Sequence, residues 1–196
     1  MNRTKTWDNI AEKWAEYRQT PSPTVEWFLK NKKGKILDLG CGSGRNFIKT
    51  NGKISGTDVS QKMLEFAKQT IEKRKLNIEL KLMKKKIPYP NDYFDYAICT
   101  AVFHCLNKKQ QAHLVKELFR VLKPKAKALI SVWSRNSPRM KNKPKECYVP
   151  WTIKDQKQQR YTYLFETKEL ENLLKDVGFK VLKSWEERNL NFVLGK

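Results

Sequence analysis

The residues with the clearest chemical content are Asp38, Gly40, Gly42 and Gly44, set at alternate positions in Lys35–Asn46, Lys-Ile-Leu-Asp-Leu-Gly-Cys-Gly-Ser-Gly-Arg-Asn. A short apolar run that stops at an acid and three glycines predicts a buried strand ending in a tight turn, with a helix start beyond it offering unbonded amide groups. Glycines in such a turn let backbone and ligand approach closely. Two phosphate-binding loops are excluded. A dinucleotide fingerprint needs glycine or alanine where this chain has Arg45 or Phe47, and no Gly-Lys-Ser/Thr follows for a P-loop. A second short strand, Lys53–Asp58, ends in another acid about twenty residues on, a position suited to ribose hydroxyls.

The elements that must position these residues alternate between strand and helix patterns. Thr6–Tyr17 has Trp7, Ile10, Ala11 and Trp14 at helical spacing, and Ser22-Pro23 opens a second helix. Strands are predicted at 35–39, 53–58, 78–83, 94–100 and 126–133. Helices are predicted from a Ser60 cap to Arg74, from an Asn107–Gln110 capping box to Leu122, and from Thr167 to Val177 before Gly178. Residues 179–185 and 189–194 read as a closing antiparallel hairpin. The pattern lapses over 134–161, which reads as a long structureless loop. It carries Arg135, Arg139, Lys141, Lys143, Lys145, Lys154, Lys157 and Arg160 among Tyr148, Trp151 and prolines.

Length and composition bound the function. The 196 residues suffice for one domain with a substantial core. No N-terminal apolar run marks a signal peptide and no segment has the length of a membrane span. Four cysteines without a Cys-x-x-Cys pair argue against a metal site or a disulfide framework and suit a reducing cytoplasm. With 41 basic and 20 acidic side chains the net charge is +21. A one-sided excess of that size repels itself in the folded state, so a polyanionic partner is expected, nucleic acid before an anionic membrane surface. Basic residues interleaved with aromatics in 134–166 suit RNA, through phosphate contacts and base stacking.

Taken together, the Asp38–Gly44 turn and Asp58 resemble the S-adenosylmethionine site of the Rossmann-like methyltransferases. The likeness extends nearly end to end to the tRNA wobble-uridine (carboxymethyluridine-5-O) methyltransferase family. The residues that carry it are Trp7-Asp8-x-Ile10-Ala11, Arg18, Asp38–Gly44, Phe94–Ile98 and Ala101–His104, then Arg120–Pro124 and Ala128–Trp133. The more specific segments are Val149-Pro-Trp151 and Arg160-Tyr-Thr-Tyr-Leu-Phe165, with Gly178-Phe179 closing the set. Three positions depart from the pattern: Met83 stands where an acid often meets the adenine, Lys123-Pro-Lys-Ala126 replaces a Lys-Pro-Gly-Gly turn, and Cys105 replaces a second histidine.

The resemblance implies an α/β fold of Rossmann-like methyltransferase type: a mostly parallel seven-stranded sheet, helices on both faces and a C-terminal antiparallel hairpin. It implies one domain over 1–196, N-terminal helices over 1–31 covering the cofactor site, and a basic substrate-binding insertion over 134–166. It implies S-adenosyl-L-methionine bound by Asp38, Gly40, Cys41, Gly42, Gly44, Asp58, Val59 and Thr100. Arg18, His104 and Arg160 become the candidate catalytic residues, and Trp133, Tyr161 and Tyr163 the candidate substrate contacts. The partners it implies are tRNA and a small zinc-binding activator subunit, in the cytoplasm and away from membranes. Each aromatic keeps a plain packing alternative. A small-molecule methyltransferase, or a methyltransferase fold retained for RNA binding alone, remains an open alternative at the level of sequence.

Overall fold

A computed structural model of the chain describes residues 3–153 and 156–196. Lys154 and the side chain of Lys157, both in the basic segment, lie outside the described residues. The elements in chain order are α1 (Arg3–Tyr17), α2 (Pro23–Leu29), β1 (Gly34–Leu39), β2 (Gly52–Asp58), α3 (Gln61–Arg74), β3 (Glu79–Leu82) and β4 (Phe94–Thr100). A single turn of 3-10 helix (Phe103–Cys105) precedes α4 (Lys108–Val121), β5 (Leu122–Trp133), β6 (Glu146–Ile153), β7 (Gln156–Tyr163), α5 (Thr167–Lys175), β8 (Lys180–Glu186) and β9 (Asn189–Gly195).

Seven strands form one sheet in the order β3-β2-β1-β4-β5-β9-β8, and β6 and β7 form a separate two-stranded sheet. The pairs β1–β2, β2–β3 and β4–β5 are parallel, whereas β9 runs antiparallel to both β5 and β8. The sheet is therefore mostly parallel with an antiparallel hairpin at its C-terminal edge, as the sequence led us to expect. Runs such as Ile36–Leu39 and Ile54–Asp58 are buried throughout, the mark of inner parallel strands covered on both faces.

The helix termini follow local chemistry. Ser60 caps α3 by accepting from the Met63 amide at 3.1 Å, and Lys75 ends the helix in a left-handed conformation. Asn107 and Gln110 form the capping box of α4, at 3.0 and 3.3 Å. Pro23 starts α2 at a position where its missing N–H costs nothing.

Contacts group the chain into two compact units, residues 1–88 with 150–159, and residues 89–149 with 160–196. In the first unit Ile10, Ala11 and Met63 form a small core onto which Trp7, Trp14, Phe66 and Trp151 pack, joining α1 to α3. In the second, Met140, Val149 and Leu164 are buried beside Trp133 and Cys147.

Two expectations are corrected. No helix follows the glycine turn: residues 42–46 are consecutive turns and 47–50 are irregular. The reason is length. β1 spans six residues and β2 runs parallel to it, so the chain must return about 20 Å. Only Arg45–Asn51 remain after Gly44, and a helix rising 1.5 Å per residue would need about thirteen residues for that distance. The second correction concerns 134–161, which is not structureless. Turns fill its start, β6 takes up 146–153 and β7 begins at 156.

Candidate active site

The glycine turn follows directly from the C-terminal end of β1. Gly40, Gly42 and Gly44 all have positive φ, at 72°, 55° and 79°, a conformation that strains any residue with a Cβ. The amides of Gly40 and Cys41 both donate to the Thr57 carbonyl, at 2.8 and 2.9 Å, which ties the turn to β2. A helix would have satisfied the turn's own carbonyls; here α3 does so. Thr70 Oγ1 donates to the Ser43 carbonyl at 2.8 Å, and Arg74 donates to the carbonyls of Arg45 and Phe47 at 3.0 and 2.7 Å. These two α3 side chains carry no motif signal. Only the short return length hints that the turn needs outside donors.

Two carboxylates stand at this turn. Asp58 accepts the Gly42 amide on Oδ2 and the Ser60 amide on Oδ1, both at 2.9 Å, and the Val59 amide also donates to it, so three of about four lone-pair sites are used. Burial pushes its carboxyl up, while the backbone donors oppose the shift. Asp38 is 1% exposed, and its Oδ2 has no hydrogen-bond partner among the described residues. Burial, then the neighbouring Asp58, push the Asp38 carboxyl up to about 8, against the pull of Arg45. A buried carboxylate oxygen without a partner is costly and marks a place for a donor, best a cationic one.

Helix α1 closes over the same turn. Trp14 Nε1 lies 3.7 Å from where a Cβ on Gly42 would stand, and Asp8 accepts from Ser60 Oγ at 2.5 Å. Asp8 is a residue sequence reasoning missed as an anchor, although it lies in the Trp-Asp-x-Ile-Ala segment. The Cys41 side chain packs beneath the turn: its Sγ would lie 3.0 Å from a Cβ on Gly56, and burial pushes its thiol up. Arg18, on the residue after α1, lies over the rings of Trp14 and Tyr17 at 5.4 and 5.7 Å. With Arg45 it lines an open cavity of about 610 Å³, and the closeness of the two cations lowers the Arg45 guanidinium after burial has done so.

In the second unit, Thr100 ends β4 in register with Ser131 of β5. His104, in the turn after β4, is 3% exposed. Its Nδ1 accepts the Trp133 backbone amide at 3.2 Å, and the Trp133 ring stacks on the imidazole at 4.7 Å and 18°. Arg160 and Arg139 place their guanidiniums 5.6 and 5.7 Å from the same indole. The structure thus brings His104, Trp133 and Arg160 together, and adds Arg139. Tyr161 donates to Glu146 at 2.9 Å and packs edge-on against Tyr148. Tyr163 corrects the stacking expectation. It is buried, its hydroxyl donates to Glu169, and its ring packs on Phe165, so it has no face left for a base. Burial and Glu169 raise its phenol.

The fold with this glycine turn is that of the S-adenosylmethionine-dependent methyltransferases, and residues 36–125 match the family model described as a methyltransferase domain. The cofactor that this domain and fold carry is S-adenosyl-L-methionine. The residues fit it. Asp38 Oδ2, without a partner among the described residues, suits an amino group, Asp58 keeps acceptor capacity for a ribose hydroxyl beside its three backbone donors, and the turn admits no Cβ at Gly44, where one would meet Phe47 at 2.6 Å. The chain is 28% identical over 223 residues to the tRNA (carboxymethyluridine(34)-5-O)-methyltransferase of Schizosaccharomyces pombe, covering 98% of this chain and 94% of that protein. Among solved structures, the CcbJ methyltransferase of Streptomyces caelestis aligns over 99% of this chain and 98% of its own, with a TM-score of 0.80 at 13% identity. A chain from the complex of the Haloferax volcanii Trm112 methyltransferase activator with a methyltransferase aligns over 99% of this chain and 96% of its own, with a TM-score of 0.72 at 15% identity. Among the described residues no helix is long and apolar enough to cross a membrane.

Proposed function

We propose that this chain is an S-adenosylmethionine-dependent tRNA methyltransferase that converts the carboxylate of a 5-carboxymethyluridine-type wobble base to its methyl ester. The observation that carries the reading is the similarity to the S. pombe enzyme over 98% of this chain, which includes the segments around Trp133, Trp151 and Arg160 as well as the cofactor turn. The net charge of +21 supports a polyanionic substrate. The likeness to the H. volcanii complex supports an activator subunit as partner.

S-adenosylmethionine, when bound, supplies a methyl group on a sulfonium, already electrophilic. The protein's share is therefore positioning and exclusion of water. Asp38 and Asp58 would hold the amino group and the ribose, Val59 and Thr100 would border the cofactor, and α1 with Trp14 would cover it. A carboxylate acceptor is ionised near neutral pH and requires no strong base. It requires an orienting cation, and Arg160, held beside Trp133 and 6% exposed, would serve. Arg18, which lies over the Trp14 ring, would be a second candidate cation for the acceptor. The basic residues of 134–166 would meet the tRNA backbone, with the exposed Tyr148 and its neighbour Tyr161 as base contacts.

The test is mass spectrometry of nucleosides from undermodified tRNA incubated with the protein, a Trm112-type activator and S-adenosylmethionine. A methyl ester gained on a carboxymethylated uridine is expected. Methylation of a different nucleoside, or of a small acid in place of tRNA, overturns the assignment.

A further inference from the structure

Two features of His104 fix what its imidazole can do. Its Nδ1 is the acceptor for the Trp133 amide at 3.2 Å, and its ring is held flat against the indole at 4.7 Å and 18°. A neutral imidazole that accepts at Nδ1 carries its proton on Nε2. To take up a second proton it would have to lose the Trp133 bond, because Nδ1 would become a donor facing a donor. The charged group that acts on the ring is Arg160 from β7, and Arg139 from the segment after β5 lies over the same indole that stacks on it. Among the described residues no carboxylate acts on His104 to offset them. A protonated His104 would be a buried cation among cations.

We propose that His104 is a fixed Nε2–H donor to the acceptor substrate and never its general base, so that this site takes an acceptor that arrives already anionic, a carboxylate. The inference rests on the function proposed above and deepens it. An amine or hydroxyl acceptor must shed a proton during methyl transfer and would want a base in this position. A carboxylate sheds none: one oxygen forms the new bond to the methyl carbon as the carbon–sulfur bond breaks, and the pair of electrons from that bond neutralises the sulfonium. An Nε2–H donor at the acceptor's other oxygen orients it without quenching both lone-pair sites. Burial, assisted by Arg160, pushes the imidazole down to about 3, in keeping with a ring that stays neutral through the working range.

The tautomer is read on the wild-type protein without any substrate. Long-range proton–nitrogen NMR of histidine-labelled protein, assigned with a His113→Asn variant, should show His104 as the Nε2–H tautomer, unchanged from pH 5.5 to 8.5. A proton on Nδ1, or titration inside that range, overturns the proposal. Activity then reads the role. His104→Ala should lower kcat/KM on tRNA by roughly ten- to a hundredfold, the range for one hydrogen bond to a charged group. His104→Gln keeps an N–H donor and no basic nitrogen, and should recover most of that loss. A glutamine variant as inactive as alanine but equally well folded, or an alanine variant with full activity, refutes the donor role. If wild-type protein forms no methyl ester on tRNA at all while the tautomer stands, it is the assigned function that fails.

Discussion

Binding of the donor to this protein should expel a proton. Asp38 is buried and its carboxyl sits at about 8. At pH 7, one unit below, about nine molecules in ten carry the neutral acid. An amino group set against Oδ2, the oxygen without a partner, calls for the carboxylate. Binding at pH 7 should therefore release about 0.9 proton, at a cost of about 1.4 kcal/mol, and affinity should climb roughly tenfold as the pH rises from 7 to above 8 until the ligand's amine loses its own charge. Calorimetric titration with S-adenosylmethionine in phosphate and in Tris at pH 7 reads this directly, because the two buffers take up protons with different enthalpies. Asp38→Asn preserves shape and cannot ionise. Its heats should be independent of buffer, and its affinity at pH 8 should fall by about 1.5–3 kcal/mol, roughly ten- to a hundredfold, for the lost charge-assisted bond. Equal wild-type heats in both buffers, or an asparagine variant that binds as tightly as wild type, would refute the reasoning. The sign for the ligand-free fold is opposite to that of an ordinary paired acid. A raised carboxyl contributes stability that is complete below its ordinary value of 3.8 and is lost as the pH rises through 8.

Other perturbations follow from the same geometry. His104 is depressed from 6.5 to about 3, so its contribution is complete above 6.5 and is lost as the pH falls toward 3. Urea denaturation should show wild type losing about 2 kcal/mol more than His104→Gln between pH 7.5 and 5. Gly56→Ala would set a Cβ 2.8 Å from Phe47, 2.9 Å from Leu80 and 3.0 Å from Cys41, and should cost about 1–3 kcal/mol as a lowered Tm. Because Phe47 and Cys41 flank the glycine turn, cofactor affinity should fall with it. Asn107→Ala removes a cap from α4, far from the cofactor turn in sequence, and should cost about 1 kcal/mol with cofactor affinity intact.

Much of this protein is written locally. Buried apolar runs ending in Asp38 and Asp58, caps at Ser60 and Asn107, and glycines at 40, 42, 44 and 178 depend on neighbours a few residues away, so pattern and spacing reveal them. The missing helix after Gly44 was also written there, in the count of residues available for the return to β2. What sequence left open is how long-range contacts use each side chain. Tyr161 and Tyr163 alternate identically, yet Tyr163 is buried against Phe165 and Glu169 while Tyr161 pairs with Glu146 beside the exposed Tyr148. Arg18 and Arg160 both suit a carboxylate by type, but one rests on Trp14 and the other on Trp133. The sequence alone determined the cofactor turn and its class of chemistry, because backbone conformation and strand ends are set by adjacent residues. Tertiary structure alone decided the burial of Asp38 and the amide that meets His104 Nδ1, because those depend on distant segments, one of them 29 positions away in the chain.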